Sequence, residues 1–516
     1  MDKYNLNFSL EVVKKAHFIG IGGIGMSGIA HLMRALNYDV SGSDMEKSII
    51  TQKLEEMKIK VFYEHHKSNI ADCDLVILSS AIREYNPELL EAKRKKIKIV
   101  HRAEMLAKIA ELKKTITISG THGKTTVTSM LGSVFEGAKE DATIVVGGLF
   151  KNIASNVRIG TSEYFVTEAD ESDGSFLYFS PLITCVTNID IDHMDHYGDI
   201  NTLKKAFIDH ISKVPFYGAA VLCSDDEGIK SIIKDINVST ITYGLNGNPT
   251  TLLLPKGQSK KTSSAFSATR GWSGNPDWQA KSIKMKGNKT EFMVYFKGKK
   301  MGMVKINTAG KHNVRNALGA IACGNYLGFD FGKIAAGLGK FMGVKRRMDS
   351  LGFTKGIRFI DDYGHHPTEI IATLKAVKEA YNPKRIIALF QPHRYSRTKE
   401  LYKDFAGAFK LADILFLMDI YPAGEKPLKG VSSDLIFNAM TPPPLSSCHA
   451  EHGKFAKQIS SAKMPNCDKP LAGAVSKRYA HQTAKPLAGA VSKRYAHQTA
   501  KPLAGAVSKR YAHQTA

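Results

Sequence analysis

The sequence predicts an α/β protein of three domains in series. Three observations carry that expectation: a strand–glycine–helix junction at residues 17–30, a second at residues 115–135, and an alternation of apolar strand runs with helical patterns that restarts near Gly343. A chain of 516 residues is long enough for two to four domains, each with its own core.

Strands are expected first at His17–Ile21, Asp39–Ser41, Val61–Tyr63, Leu75–Ser79 and Ile97–Val100, with helical patterns between them, so residues 1–108 read as a parallel sheet covered by helices. A second unit, residues 109–325, opens with a strand at Thr115–Ser119 and continues through Tyr164–Val166 and Leu182–Val186. Within it, residues 249–275 are rich in Ser, Thr, Gly and Lys and read as an inserted loop. A third unit, residues 326–440, has strands at Ile357–Ile360, Ile386–Phe390 and Ile414–Met418. From 441 to 516 the character changes. Lys469–Ala484 recurs without change at 485–500 and 501–516, and sixteen residues advance a helix by about 1600°, so successive apolar stripes would not align into a solenoid.

The formal net charge is +24, of which +10 lies in residues 441–516 and +4 in residues 249–275. The remaining body is moderately basic, which suits anionic nucleotides; no aromatic-interleaved basic stripe indicates nucleic acid as a partner. No apolar run approaches membrane-spanning length, and residues 1–10 lack a signal-peptide core. Six cysteines without a CxxC pair read as reduced thiols of a cytoplasmic protein.

Gly20-Ile21-Gly22-Gly23-Ile24-Gly25 lies between a strand and a helix, and Asp44 ends the next strand about 20 residues on. This is a dinucleotide fingerprint, open to a dehydrogenase. Its physics is broader, because Gly22, Gly23 and Gly25 permit close approach of any diphosphate and Asp44 can hold any ribose hydroxyl. Gly120-Thr121-His122-Gly123-Lys124-Thr125-Thr126 likewise joins a strand to a helix. Its backbone N–H groups can cradle a triphosphate, with Lys124 on the outer phosphates and the Thr125 hydroxyl on Mg²⁺, so ATP is expected. Glu168, Asp170, Glu171 and Asp173 crowd a strand end, where buried acids call for a cation. Residues 188–197 bring His193 and His196 among carboxylates without a zinc spacing. Asn313 and Asn316 share a helix face and could hydrogen-bond a purine. Arg346 and Arg347, then Asp362 and His365, then Arg394 and Arg397 fall where open sheets bind ligands, and together suit a zwitterion beside a phosphate.

In this order, the motifs HFIGIGGIGMSGIA (17–30), SGTHGKTTVTSM (119–130), EADESDGSF (168–176), NIDIDHMDHY (188–197), GKHNVRNA (310–317), DDYGHHPTEI (361–370) and FQPHRYSRT (390–398) resemble the Mur ligase family, which builds the peptide of bacterial cell-wall precursors. The resemblance covers residues 16 to about 437 apart from the insertion. It implies a Rossmann-like N-terminal domain for a UDP-sugar, a central P-loop-type domain for ATP, and a Rossmann-like C-terminal domain for an amino acid. Within the family the motifs point to UDP-N-acetylmuramate and L-alanine as substrates, joined through an acyl phosphate; the Tyr363-Gly364 form of its motif argues against ligation of a recycled peptide. By motif correspondence Thr125, Glu168 and His193 become Mg²⁺/ATP residues, and Asn313 and Asn316 face adenine. Gly22, Gly23, Gly25, Asp44, His66, Ser80 and Arg102 hold the UDP-sugar. Asp362, His365, Arg394 and Arg397 line the amino-acid end, with Arg346 and Arg347 near phosphate. The segment 441–516 departs from the family pattern. It is expected to leave the third domain incomplete, the alternative function being an impaired protein that binds UDP-sugar and ATP only.

Overall fold

The computed structural model describes residues 8–79, 81–152, 155–246 and 275–440. Ser80, the repeat-bearing segment 441–516 and all but the last residue of the expected insertion at 249–275 lie outside the described residues.

The first layer runs β1 (Lys15–Ile19), α1 (Ile24–Ala35), β2 (Asp39–Ser43), α2 (Ile49–Glu56), β3 (Lys60–Phe62), β4 (Leu75–Leu78), α3 (Pro87–Arg94), β5 (Lys98–His101) and α4 (Arg102–Ala110). The sheet is wholly parallel in the order β3-β2-β1-β4-β5. Chain order reverses between β1 and β4, and the crevice beyond their carboxyl ends is where such sheets take ligands. β4 is buried along its whole length, as a strand covered on both faces must be.

The second layer comprises β6 (Lys114–Ser119), α5 (Lys124–Ala138), β7 (Thr143–Phe150), β8 (Ser155–Arg158), β9 (Tyr164–Glu168), β10 (Ile183–Val186), α6 (Met194–Tyr197), α7 (Ile200–Ile211), β11 (Ala219–Cys223), α8 (Glu227–Ile232), β12 (Thr240–Gly244), β13 (Trp278–Lys286), β14 (Lys289–Phe296), β15 (Lys299–Ile306), α9 (Lys311–Tyr326) and α10 (Phe331–Gly339). They form one ten-stranded sheet, β15-β14-β13-β12-β11-β10-β6-β9-β7-β8. It is parallel from β13 to β7 and antiparallel at both ends. β6 lies in its middle between β10 and β9, so the acid-bearing ends of those strands flank the loop that follows β6. Val134, Phe135, Phe165, Leu318 and Ile321 are fully or almost fully buried in this core.

The third layer holds β16 (Asp349–Thr354), β17 (Ile357–Asp361), α11 (Pro367–Tyr381), β18 (Ile387–Phe390), α12 (Tyr395–Ala408), β19 (Ile414–Leu417) and α13 (Asp434–Met440). β18 and β19 pair in parallel over a cluster of Ile370, Leu374, Phe390, Leu401 and Phe405. The strand expected at Ile357–Ile360 does not join them. It pairs antiparallel with β16 as a separate hairpin. The cause is its two-residue turn: Lys355 and Gly356 both take positive φ, which folds a strand back on its neighbour. The other expected strands lie within two residues of their observed positions, whereas the β13–β15 meander carries no strand in the sequence reading. No helix among the described residues is long and apolar enough to cross a membrane.

Candidate active site

The loop after β6 carries positive φ at Gly120 and Gly123, 120° and 89°, a region side-chain-bearing residues rarely enter. It delivers Lys124 to the first turn of α5. The Lys124 ammonium donates to Gly120 O at 2.8 Å and to both carboxylate oxygens of Glu171 at 2.8 Å, with Asp170 at 3.7 Å. Burial acts to discharge it, but Glu171, Asp170 and Glu168 outweigh burial and hold it charged above its ordinary range. Burial pushes the Glu171 carboxyl up to about 7 against the pull of Lys124. Next along the helix, the Thr125 hydroxyl donates to Glu168 at 3.0 Å, and Gly147 N–H donates to the other Glu168 oxygen at 2.6 Å. Burial also raises Glu168, the sign of a carboxylate short of positive charge.

The end of β10 closes the other side. Asn188 takes the His122 N–H at 2.8 Å and donates to His122 O at 2.9 Å, clamping the loop. His193 sits in a left-handed backbone conformation at the start of α6, and burial lowers it despite Asp192 and Asp170, so its imidazole is neutral at pH 7. His122 is held by Asp190 and Glu369, each at 3.3 Å. Burial works against its charge, yet those two carboxylates prevail and raise it to about 9.

Thr121 accepts the Asp190 N–H at 2.9 Å, and Thr126 lines a cavity with His122, Gly123, Asn313 and Asn316. Asn313 spends its amide on Thr308 and Ala309, and Asn316 donates to Asn313 at 3.2 Å. The Asn316 oxygen abuts Gly123, where a Cβ would stand 2.9 Å away. Cys223, Tyr243 and Arg315 complete this wall, and Arg347 and Asp362 enter it from the third layer.

The third-layer residues are brought to the same region with different partners from those expected. Arg397 is buried and grips Asp192 of the second layer through both oxygens at 3.1 Å. The Asp362 carboxylate takes the N–H groups of Met348 and Gly364 at 2.8 Å each, so it shapes its own loop. Arg346 and Arg347 stack on Tyr363, and Arg347 reaches Glu369 at 3.3 Å. His365 lies 3.5 Å from Glu369, and burial lowers it to about 4. Arg394, at φ 75°, starts α12.

In the first layer Gly22 N–H donates to Asp44 at 2.8 Å, and the Arg102 guanidinium lies against Gly25, where a Cβ would stand 2.7 Å from it. The two thus gather at the α1 N-terminus, together with Gly23, its cap. His66 is exposed and turned to Ser68 of its own turn, 2.7 Å away. Its neighbour His65 instead joins Ser43 at 2.9 Å and the fully buried Glu88 at 3.1 Å. Sequence reasoning passed over His65, Glu88, Asn188, His366 and Glu369. The last three lie inside motifs already singled out, but nothing in their spacing identifies their partners on other elements.

Three family descriptions match the chain: "Mur ligase family, catalytic domain" over residues 15–114, "Mur ligase middle domain" over 118–324 and "Mur ligase, glutamate ligase domain" over 346–464. The chain is 45% identical over 444 residues to the UDP-N-acetylmuramate–L-alanine ligase of Endomicrobium trichonymphae, covering 86% of this chain and 92% of that one. It is 44% identical over 426 residues to the ligase of the same name from Geobacter sp. (strain M21), covering 83% and 87%. It also resembles the crystal structure of UDP-N-acetylmuramate-alanine ligase MurC from Thermotoga maritima, with a TM-score of 0.65 and 28% identity over 83% of this chain and 88% of that one.

Proposed function

The chain belongs to the Mur ligase family, and from that premise we propose that it joins L-alanine to the lactyl carboxylate of UDP-N-acetylmuramate at the expense of ATP, in peptidoglycan precursor synthesis. The observation that carries this reading is the convergence on one phosphate loop of Lys124, the strand-end acids Glu168 and Glu171, and a third layer tied in by Arg397. The UDP-sugar is assigned to the first layer, ATP to the second, with α10 on its side, and the amino acid to the third, and the reaction to the cytoplasm.

The chemistry follows from a poor electrophile. A carboxylate resists an amine because oxide would have to leave. Transfer of the ATP γ-phosphoryl to a carboxylate oxygen breaks the bond to ADP and makes an acyl phosphate. The alanine amine attacks the acyl carbon, the tetrahedral intermediate expels phosphate, and the amine gives up a proton as the amide forms. Lys124 supplies fixed positive charge to the transferring group, and the N–H groups of the Gly120–Thr126 loop position it. Thr125, Glu168 and His193 are the donors for Mg²⁺. The set fits, pairing a hydroxyl and a buried carboxylate short of positive charge with an imidazole kept neutral by burial. Bound there, Mg²⁺ would neutralise charge on the phosphates. Arg102 and the α1 N-terminus hold the diphosphate of the UDP-sugar, and Asp44 a ribose hydroxyl. His365, Arg394 and Arg346 face the amino acid and the phosphate, and packing of the third layer excludes water that would hydrolyse the acyl phosphate.

With ¹⁸O in the lactyl carboxylate, one labelled oxygen is expected in the released phosphate, in a reaction that requires both ATP and L-alanine. Lys124→Ala should lower turnover by about 10² to 10³-fold. Unlabelled phosphate, or turnover untouched by that substitution, would overturn the reading.

A further inference from the structure

We propose that His122, Asp190 and His366 form a binding site for a borderline transition-metal dication of the Zn²⁺ class, apart from the Thr125, Glu168 and His193 set assigned to Mg²⁺. His122 Nε2 lies 3.3 Å and His366 Nδ1 3.6 Å from Asp190 Oδ2, and the three ligand atoms fall within 4.8 Å of one another. Ligand atoms about 2.0–2.1 Å from a tetrahedral Zn²⁺ stand roughly 3.3–3.4 Å apart, so the His122–Asp190 pair already has that spacing and the widest pair would close by up to about 1.4 Å. Two imidazoles with one carboxylate are a donor set that prefers Zn²⁺ to Mg²⁺, which takes oxygen.

The surroundings of these ligands make this more than a chance cluster. A metal-bound histidine presents one ring nitrogen to the ion and the other to a carboxylate or carbonyl. The far nitrogen of His122, Nδ1, faces Glu369 at 3.3 Å. The far nitrogen of His366, Nε2, faces Ile191 O at 3.2 Å. The Thr368 hydroxyl donates to Asp190 Oδ2 at 2.7 Å and fixes that carboxylate. Both imidazoles are therefore oriented with their near nitrogens on the same oxygen. A proton on His122 Nε2 now fills the place an ion would take, and His366 Nδ1 accepts the Thr368 N–H at 3.3 Å, a cap hydrogen bond that the ion would displace. His122 and Asp190 also line the cavity beside the phosphate loop, which gives an ion a way in. His122 belongs to that loop and His366 caps α11, so the ion would cross-link the second and third layers.

Isothermal titration of the metal-stripped full chain with ZnCl₂, in excess Mg²⁺ and without nucleotide, tests the proposal independently of the ligase reading. One Zn²⁺ per chain is expected, with affinity about 10- to 100-fold weaker in His366→Ala and in Asp190→Asn. Failure to take up stoichiometric Zn²⁺, or wild-type affinity in both variants, would overturn it. Should either variant unfold by circular dichroism, Co²⁺ in the wild-type chain gives a second readout. Visible bands of a four-coordinate nitrogen- and oxygen-ligated ion, perturbed in Thr368→Val, support the site; an octahedral spectrum, or bands indifferent to Thr368→Val, defeats it.

Discussion

At the scale of single residues, the site is governed by how buried charges are matched. Lys124 partly offsets the burial of Glu171, whose carboxyl still stands at about 7, and Arg397, with His193, holds Asp192 below its ordinary range against burial. Removing one partner of such a pair leaves a bare charge in a low dielectric, which costs more than the pair itself contributes. Arg397→Met alone should therefore destabilise the protein by about 3–5 kcal/mol in urea unfolding. Adding Asp192→Leu should restore part of that loss, and strictly additive effects would show that the two residues are not coupled. The sequence reading found Lys124 and Arg397 from their motifs. The residues alone did not fix which of Glu168, Asp170 and Glu171 contacts metal, and only the fold shows that Glu171 is spent on the Lys124 ammonium while Glu168 meets the Thr125 hydroxyl. For the same reason it assigned Arg397 to the amino acid, while the geometry spends its guanidinium on Asp192.

At the scale of elements, the middle of the second-layer sheet is pinned by a polar contact as well as by apolar packing. His210 of α7 is fully buried, stacks on Phe176, and meets the hydroxyls of Thr117 on β6 and Thr184 on β10 at 3.2 and 3.0 Å. Burial lowers it to about 3, so the folded protein keeps it neutral while the unfolded chain protonates near its ordinary value of 6.5. The unfolded state then binds the extra proton between those values, so this contribution to stability is complete above pH 6.5 and is lost as pH falls. Between pH 6.5 and 5 the loss is about 2 kcal/mol. Denaturant titrations across that range should show the slope in the wild type and not in His210→Gln; equal slopes would mean the acid sensitivity arises elsewhere. The strands on either side of this histidine were legible as apolar β-branched runs. The β13–β15 meander was not, because its lysine-rich alternation over residues 278–306 leaves one face to solvent and resembles polar loop in a linear reading.

At the scale of the molecule, the three layers differ in how fully they are covered. The first two bury their central parallel strands on both faces, whereas in the third β18 and β19 pack only one face on α11 and α12. Ile387, Leu389 and Phe416 remain 53%, 69% and 53% exposed, and Leu351, Phe353, Ile357 and Phe359 of the hairpin are exposed as well. The exposed Ile387, Leu389 and Phe416 lie together on β18 and β19, and an apolar face of this kind binds hydrophobic probes and promotes association. The folded protein should enhance the fluorescence of an anilinonaphthalene sulfonate dye, and Leu389→Ser combined with Phe416→Ser should reduce that signal with little change in stability. No dye response from the wild type would show that this face is covered in solution.

The linear sequence by itself determined the order of the three α/β units, the glycine loops and the family to which they belong, because those features depend on spacing along the chain. Glycine is needed where φ is positive, and a strand, a loop and a helix in succession leave few alternatives. The tertiary structure alone decided which charges meet: Lys124 with Glu171, Arg397 with Asp192, His122 between Asp190 and Glu369, and His65 rather than His66 in the buried Glu88 network. Those partners are tens to hundreds of residues apart, and their pairing depends on burial and distance, which appear only once the sheets have placed the strand ends side by side.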